Sequence, residues 1–124
     1  MAKKILIVDD DLYIRDLYSE ILQGEGYEVD TAVDGQDGLE KILLTHYDLV
    51  LLDLMMPRLD GIGLLRKIRE NENKNLVGEI IIITNLANDP VLGEALALGV
   101  ESCLIKSDVT PDELVRYVQR KISD

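Results

Sequence analysis

The sequence predicts an α/β protein in which one five-stranded parallel sheet is wound on both sides by helices. Three observations carry that expectation. Short apolar runs of strand length alternate along the chain with helical apolar patterns. Three of the runs show no polar alternation, as strands buried on both faces do. Helical patterns fill the intervals between the runs, long enough for the crossovers that parallel strands require.

The elements follow in order. Ile5-Leu6-Ile7-Val8 is continuous and mostly β-branched, which suits a central strand. Three aspartates end it, and Asp11 is placed as the N-cap of the next helix. Ile14, Leu17, Ile21 and Leu22 share one face of that helix. The segment Tyr27-Glu28-Val29-Asp30-Thr31 alternates, the pattern of an edge strand with one wetter face. Leu39, Ile42 and Leu43 predict the apolar face of a second helix, with His46 solvated after it. Leu49-Val50-Leu51-Leu52 is the third strand. Ile62, Leu65 and Ile68 mark a third helix that runs into the polar segment 70–75. Ile80-Ile81-Ile82-Ile83 is the fourth strand. Asp89-Pro90 reads as an N-cap followed by Pro at the first helical position, opening a helix towards Leu98 that Gly99 terminates. Cys103-Leu104-Ile105 is the fifth strand. Thr110-Pro111-Asp112-Glu113 is a capping box, and Leu114, Val115, Val118 and Ile122 form the buried stripe behind it. Right-handed crossovers with the first, third and fourth strands central imply the order 2-1-3-4-5, a flavodoxin-like arrangement. Ligands in such sheets sit beyond the carboxyl ends of the strands, here between the first and third.

The 124 residues fit one domain, 1–124, with no repeat, low-complexity tract or linker. Nearly half are hydrophobic, enough for a core without disulfides or metal staples. A net charge of -11 argues against direct nucleic-acid binding. Cys103 is the single cysteine, so no internal disulfide forms, which suits a reducing compartment. The apolar run after Lys3-Lys4 is too short for a signal peptide, and no stretch is long enough to cross a bilayer. The expectation is a soluble, cytoplasmic protein with no membrane partner.

The residues leaving the strands carry the chemistry. Asp9, Asp10 and Asp11 follow the first strand, Asp53 the third, Thr84 the fourth and Lys106 the fifth. Taken singly these are unremarkable: a capped turn, a loop acid, a strand threonine, a surface lysine. Their joint position at one edge changes the weighing. Two carboxylates about 4 Å apart repel by about 4 kcal/mol at an effective dielectric near 20, so a cation or a proton must relieve them. An all-oxygen, partly hydrated cage suits Mg2+, whereas His46 and Cys103 make no zinc cluster. With magnesium held by Asp9, Asp10 and Asp53, the Asp53 carboxylate could attack phosphorus to give an acyl phosphate. Thr84 and Lys106 would offer a hydroxyl and an ammonium to the phosphoryl oxygens, which is positioning plus charge stabilisation.

At this point the chain resembles the response-regulator receiver domain of two-component signalling, over essentially its whole length. The resemblance rests on Ile5 to Asp11, on Tyr47-Asp48-Leu49-Val50-Leu51-Leu52-Asp53-Leu54-Met55-Met56-Pro57 continuing through Leu59-Asp60-Gly61, on Ile80 to Thr84, and on Cys103 to Lys106. It implies that Asp53 is the phosphoacceptor and that Asp9 and Asp10 are the acidic pair, Asp10 the more direct metal ligand. It further implies that the Met55 backbone carbonyl completes the protein's share of the coordination. Thr84 would sense the phosphoryl group and Lys106 pair with it. A histidine kinase or histidine phosphotransfer protein is the implied donor. The implied output is a shift of the helix 4, strand 5 and helix 5 surface towards an effector or a second copy of the chain.

Four departures from the family pattern stand out. Ser107 follows Lys106 where proline joined by a cis bond is usual, which predicts a trans bond, since a cis non-proline bond costs roughly 2.5–4 kcal/mol. Cys103 replaces the usual aromatic switch residue and reads as a small buried strand residue. Asn85 stands where a smaller residue is common and is expected to narrow access to the site. Met55 and Leu86, two positions beyond Asp53 and Thr84, cannot orient a hydrolytic water, which predicts a long-lived phosphoryl state. Two other function classes compete with the switch. A phosphatase or mutase would want an acid two residues past the nucleophile, where Met55 stands. A phosphorylation-independent binding module would fit Cys103 and Ser107 but not the complete acidic and basic set. A flavin-binding module lacks its phosphate loop and flanking aromatics.

Overall fold

The computed structural model describes residues 2–73, 75–85, 90–100 and 102–122. Strands and helices alternate as β1 Lys4–Val8, α1 Leu12–Gly24, β2 Glu28–Ala32, α2 Gly35–Leu44, β3 Tyr47–Leu52, α3 Gly61–Glu70, β4 Val77–Thr84, α4 Pro90–Ala97, β5 Ser102–Ile105 and α5 Pro111–Ile122. The strands form one parallel sheet in the order β2-β1-β3-β4-β5, as the pattern predicted.

Strand side chains alternate between two cores because the strand repeat is two residues. Ile5, Ile7, Leu49, Leu51, Ile81 and Ile83 pack with Tyr18 and Leu22 of α1 and with Leu114, Val118 and Ile122 of α5. Leu6, Val8, Val50, Leu52, Ile80 and Ile82 face Ile42 of α2, Leu64, Leu65 and Ile68 of α3, and Ala95 of α4. The uninterrupted apolar runs are thus explained: every residue of β1 from Ile5 to Val8 meets one core or the other. β2 has wetter positions at Glu28 and Asp30, as an edge strand should.

Local signals hold at the caps. Asp11 accepts from Tyr13 N–H at 2.9 Å. Thr110 and Glu113 cap each other reciprocally, at 3.2 and 3.3 Å. Gly99, at φ 91°, sits in the left-handed region that ends α4. Asp89, expected to cap α4, lies outside the described residues, as does Leu86. His46 is exposed.

Three expectations need correction. In α5 the buried stripe is Leu114, Val118 and Ile122, while Val115, expected to belong to it, is only half-buried. In α2, Leu43 does not share the buried face of Ile42; it is exposed, as is Leu44. Here Gly38 replaces a bulky contact: a Cβ there would lie 3.1 Å from Val8 Cγ2, so α2 sits close on the end of β1. β4 starts three residues before Ile80, at Val77, and pairs with Tyr47. Gly78 permits this, since a Cβ on it would come within 2.2 Å of the Asp48 carbonyl oxygen.

Candidate functional site

Parallel register builds the site. Val8 stands opposite Leu52 in the β1–β3 ladder, so Asp9 and Asp53 leave adjacent strands side by side. The ladder continues one step further on both sides of β1: Asp53 N–H donates to Val8 O at 3.0 Å, and Asp9 N–H to Ala32 O at 3.1 Å. At the other side Thr84 stands opposite Ile105, and Lys106 N–H donates to Thr84 O at 2.9 Å. Four strand ends therefore present Asp9, Asp53, Thr84 and Lys106 to one edge, the carboxyl end predicted from the topology.

Asp9 is fully buried and Asp53 only 4 % exposed, and Thr84 is buried too. Lys106 reaches between the two acids, its Nζ 2.7 Å from Asp9 Oδ2 and 3.3 Å from Asp53 Oδ2. Asp9 Oδ1 accepts from Asp11 N–H at 2.9 Å. Its other oxygen, Oδ2, is sealed from solvent and faces the ammonium at 2.7 Å; a carboxylate oxygen has two lone pairs, so it keeps acceptor capacity. Arg15 Nη1 donates to the Asp9 backbone carbonyl at 2.7 Å and brings a second cation to the rim. Asp10 is exposed, yet one oxygen from each of Asp9, Asp10 and Asp53 falls within 4.8 Å of the others.

The electrostatics follow from burial. The Asp53 carboxyl is pushed up to about 6, first by desolvation and then by the Asp9 charge, against the opposing pull of Lys106. Burial raises Asp9 in the same way. For Lys106 burial pulls downward, but its bonds and charge attraction to Asp9 and Asp53 outweigh it and hold the ammonium above its ordinary value. Two buried acids share one ammonium, and a third acid stands beside them. Hard oxygen ligands in this number, with a buried oxygen still able to accept, suit a magnesium ion that keeps some of its waters.

The loop after Asp53 is fixed by small residues. Gly61 N–H donates to Leu54 O at 3.1 Å, and a Cβ on Gly61 would lie 2.2 Å from Asp53 O. Met55 is exposed, and its N–H lies 3.5 Å from Asp53 Oδ1. Cys103 is half-buried, packs against the core beneath α2, α3 and α4, and has its thiol raised by burial. Asn85 Oδ1 accepts from Ser107 N–H at 3.1 Å, tying the two loops that flank Lys106. No peptide bond among the described residues is cis, so Lys106–Ser107 is trans, as the absence of proline required.

Sequence reasoning passed over Asp34, Arg15 and the buttressing glycines. Asp34-Gly35 ahead of a helical apolar pattern was a readable N-cap, and Asp34 does accept from Asp37 N–H at 2.8 Å. Nothing local marked the glycines as contacts of the acidic strand ends.

The family described as the response regulator receiver domain matches residues 5–119. The chain is similar to the chemotaxis protein CheY of Treponema pallidum (strain Nichols), 42 % identical over 106 residues, covering 83 % of this chain and 72 % of that protein. It is also similar to the transcriptional regulatory protein CpxR homolog of Haemophilus influenzae, 43 % identical over 105 residues and 83 % of this chain. There it spans less than half the relative's length, 43 %. Among solved structures, a CheY-like response regulator receiver domain protein from Methanospirillum hungatei JF-1 superposes with a TM-score of 0.88 at 33 % identity, covering 98 % of this chain and 94 % of that one. No described helix is long and apolar enough to cross a membrane. The chain belongs to the response-regulator receiver family of two-component signalling.

Proposed function

We propose that this receiver accepts a phosphoryl group on Asp53 with Mg2+ bound beside it, and that the change of charge alters the surface of α4, β5 and α5. One observation carries the reading: Asp9, Asp10 and Asp53 converge within 4.8 Å of one another, and a single lysine ammonium pairs with two of them, Asp9 and Asp53. Asp9, Asp10, Asp53 and the Met55 backbone carbonyl would hold the ion, which when bound offsets the negative charge of acceptor and donor alike.

The chain's own residues do the rest. An Asp53 oxygen forms the new bond to phosphorus as the donor's phosphorus–nitrogen bond breaks, leaving the donor histidine nitrogen to take up a proton. Lys106, already 3.3 Å from Asp53 Oδ2, stays near enough to pair with the phosphoryl oxygens. Thr84, buried at the end of β4, offers its hydroxyl on the other side. The group brings about -1.5 to -2 of charge, drawing Thr84 and Lys106 inward. Both sit at the ends of β4 and β5, so their movement biases the helices attached there. A histidine kinase or phosphotransfer protein would supply the group. An effector protein, or a second copy, would read the result. Turnover of a substrate is not the output, so the protein acts as a switch and not as a conventional enzyme.

Intact mass spectrometry tests this directly. With magnesium and a small phosphodonor, the wild type should gain one phosphoryl group and Asp53→Asn none. A gain in both forms would move the acceptor elsewhere; a gain in neither would favour a binding module that works without phosphorylation. The lifetime is a separate prediction. The thioether of Met55, 57 % exposed beside the acceptor, cannot orient a water. The label should therefore decay slowly after donor removal, and Met55→Asn should shorten its life several-fold. Equal decay in the two proteins would remove Met55 from the explanation.

A further inference from the structure

We infer that Arg58 and Asp34 are positioning residues for the phosphoacceptor loop: their ion pair bolts residues 53–60 to the first turn of α2 and so holds the Met55 backbone in place, a role that presupposes the magnesium reading above.

Arg58 is the one non-glycine at positive φ among the described residues, 62°. A Cβ makes that conformation unfavourable, and glycine would adopt it freely. What arginine adds at this position is its side chain. Its guanidinium pairs through Nε and Nη2 with Asp34 Oδ2. Asp34 is itself rigidly held, with its carboxyl 2 % exposed and Oδ1 capping α2 through Asp37 N–H at 2.8 Å. The Asp37 N–H, and after it Arg58, keep that carboxyl below the usual range despite its burial. The contact is therefore a charge-assisted, two-donor bond onto a fixed acceptor, unlike a pair of free surface side chains.

A second bond runs parallel to it. Gly35 N–H donates to Leu59 O at 2.8 Å, and a Cβ on Gly35 would lie 2.1 Å from that oxygen. The far end of the loop is closed by Gly61 N–H on Leu54 O at 3.1 Å. Met55 and Met56 lie between these anchors, and the direct link of Met55 to the site is long, 3.5 Å from its N–H to Asp53 Oδ1. α2 in turn rests on Val8, the residue before Asp9, through Gly38. Both acidic strand ends are thereby referred to one helix N-terminus. A loop whose position is set from its far side should lose ligand geometry when that side is released, even while the core stays intact.

Two substitutions release the pair gently. Arg58→Gly removes the side chain and also the backbone strain. Asp34→Asn removes the charge and keeps a good N-cap. Magnesium titration calorimetry and amide hydrogen exchange would be run on the metal-free full chain of each, with the double variant and Arg58→Lys. Either single change should raise the magnesium dissociation constant by about 3- to 10-fold, and the double variant no further, because one pair is lost in each case. Exchange at Met55 and Met56 should quicken before any metal is added, the thermal midpoint should fall by no more than a few degrees, and Arg58→Lys should recover part of the affinity. Wild-type affinity together with wild-type exchange in both single variants would overturn the assignment. So would a midpoint that falls in step with affinity, since the pair would then be a general stabilising contact. A wild type that binds no magnesium would instead overturn the metal reading, and the role of the pair with it.

Discussion

Gly61→Ala is expected to destabilise the protein by about 2–4 kcal/mol, from overpacking and the loss of one backbone hydrogen bond. The added Cβ would lie 2.2 Å from Asp53 O, 2.6 Å from Leu54 Cα and 3.0 Å from Asp53 C. All three are backbone atoms at the end of a central strand, so no side chain can rotate away to make room. Either α3 lifts off its core or the acceptor segment shifts, and both weaken the 3.1 Å bond from Gly61 N–H to Leu54 O. The helical preference of alanine returns only about 1 kcal/mol. Gly93→Ala is the control: it lies inside α4, a Cβ there meets nothing within 4 Å, and it should stabilise by about 0.5–1 kcal/mol. Urea unfolding of both variants decides the matter. An unchanged midpoint for Gly61→Ala would mean that the loop after Asp53 is free to move, contrary to the close packing described.

A second consequence concerns charge. In the metal-free protein Asp53→Asn should raise stability at pH 7 by about 1–3 kcal/mol, as a pKa unit is worth about 1.4 kcal/mol. Burial, and then the charge of Asp9, push the Asp53 carboxyl up to about 6 from 3.8. The folded state therefore holds its proton more tightly than the unfolded chain does. The resulting stability is fully present below pH 4 or so and is lost as the pH rises through about 6. Asp9, also raised, acts with the same sign. Asp34 acts oppositely, because its carboxyl is lowered and its contribution disappears only in acid, below its ordinary value of 3.8. Between about pH 4 and 6 the wild type should thus weaken more steeply than Asp53→Asn in chelator. Saturating magnesium should close most of the gap by stabilising the wild type. Parallel pH profiles for the two proteins would show that Asp53 is not the strained group.

Much of this could be read along the chain. The unalternated runs of β1, β3 and β4 announced strands covered on both faces, and the intervening helical patterns required parallel crossovers. Caps were equally legible at Asp11 and at Thr110 with Glu113, because a cap acts within three residues of itself. The acids, threonine and lysine could be assigned to one sheet edge for the same reason: each directly follows a strand. Burial within a helix was harder. Leu43 looks as apolar as Ile42, yet it faces solvent, while Gly38 lets α2 sit close on Val8. Tyr18 was passed over because its ring reads as amphipathic, though the sheet face beneath α1 buries it.

Residue order alone was thus enough for the elements, their winding and the set of groups at the carboxyl edge, since these depend on patterns a few residues long. Distances belonged to the folded chain. That Lys106 bridges Asp9 and Asp53, that one Asp9 oxygen is sealed away still able to accept, and that Arg58 reaches Asp34 across 24 positions all depend on strand register and helix seating. Those are set by how two cores pack against one sheet, and electrostatic energies at a buried site change steeply with such through-space separations.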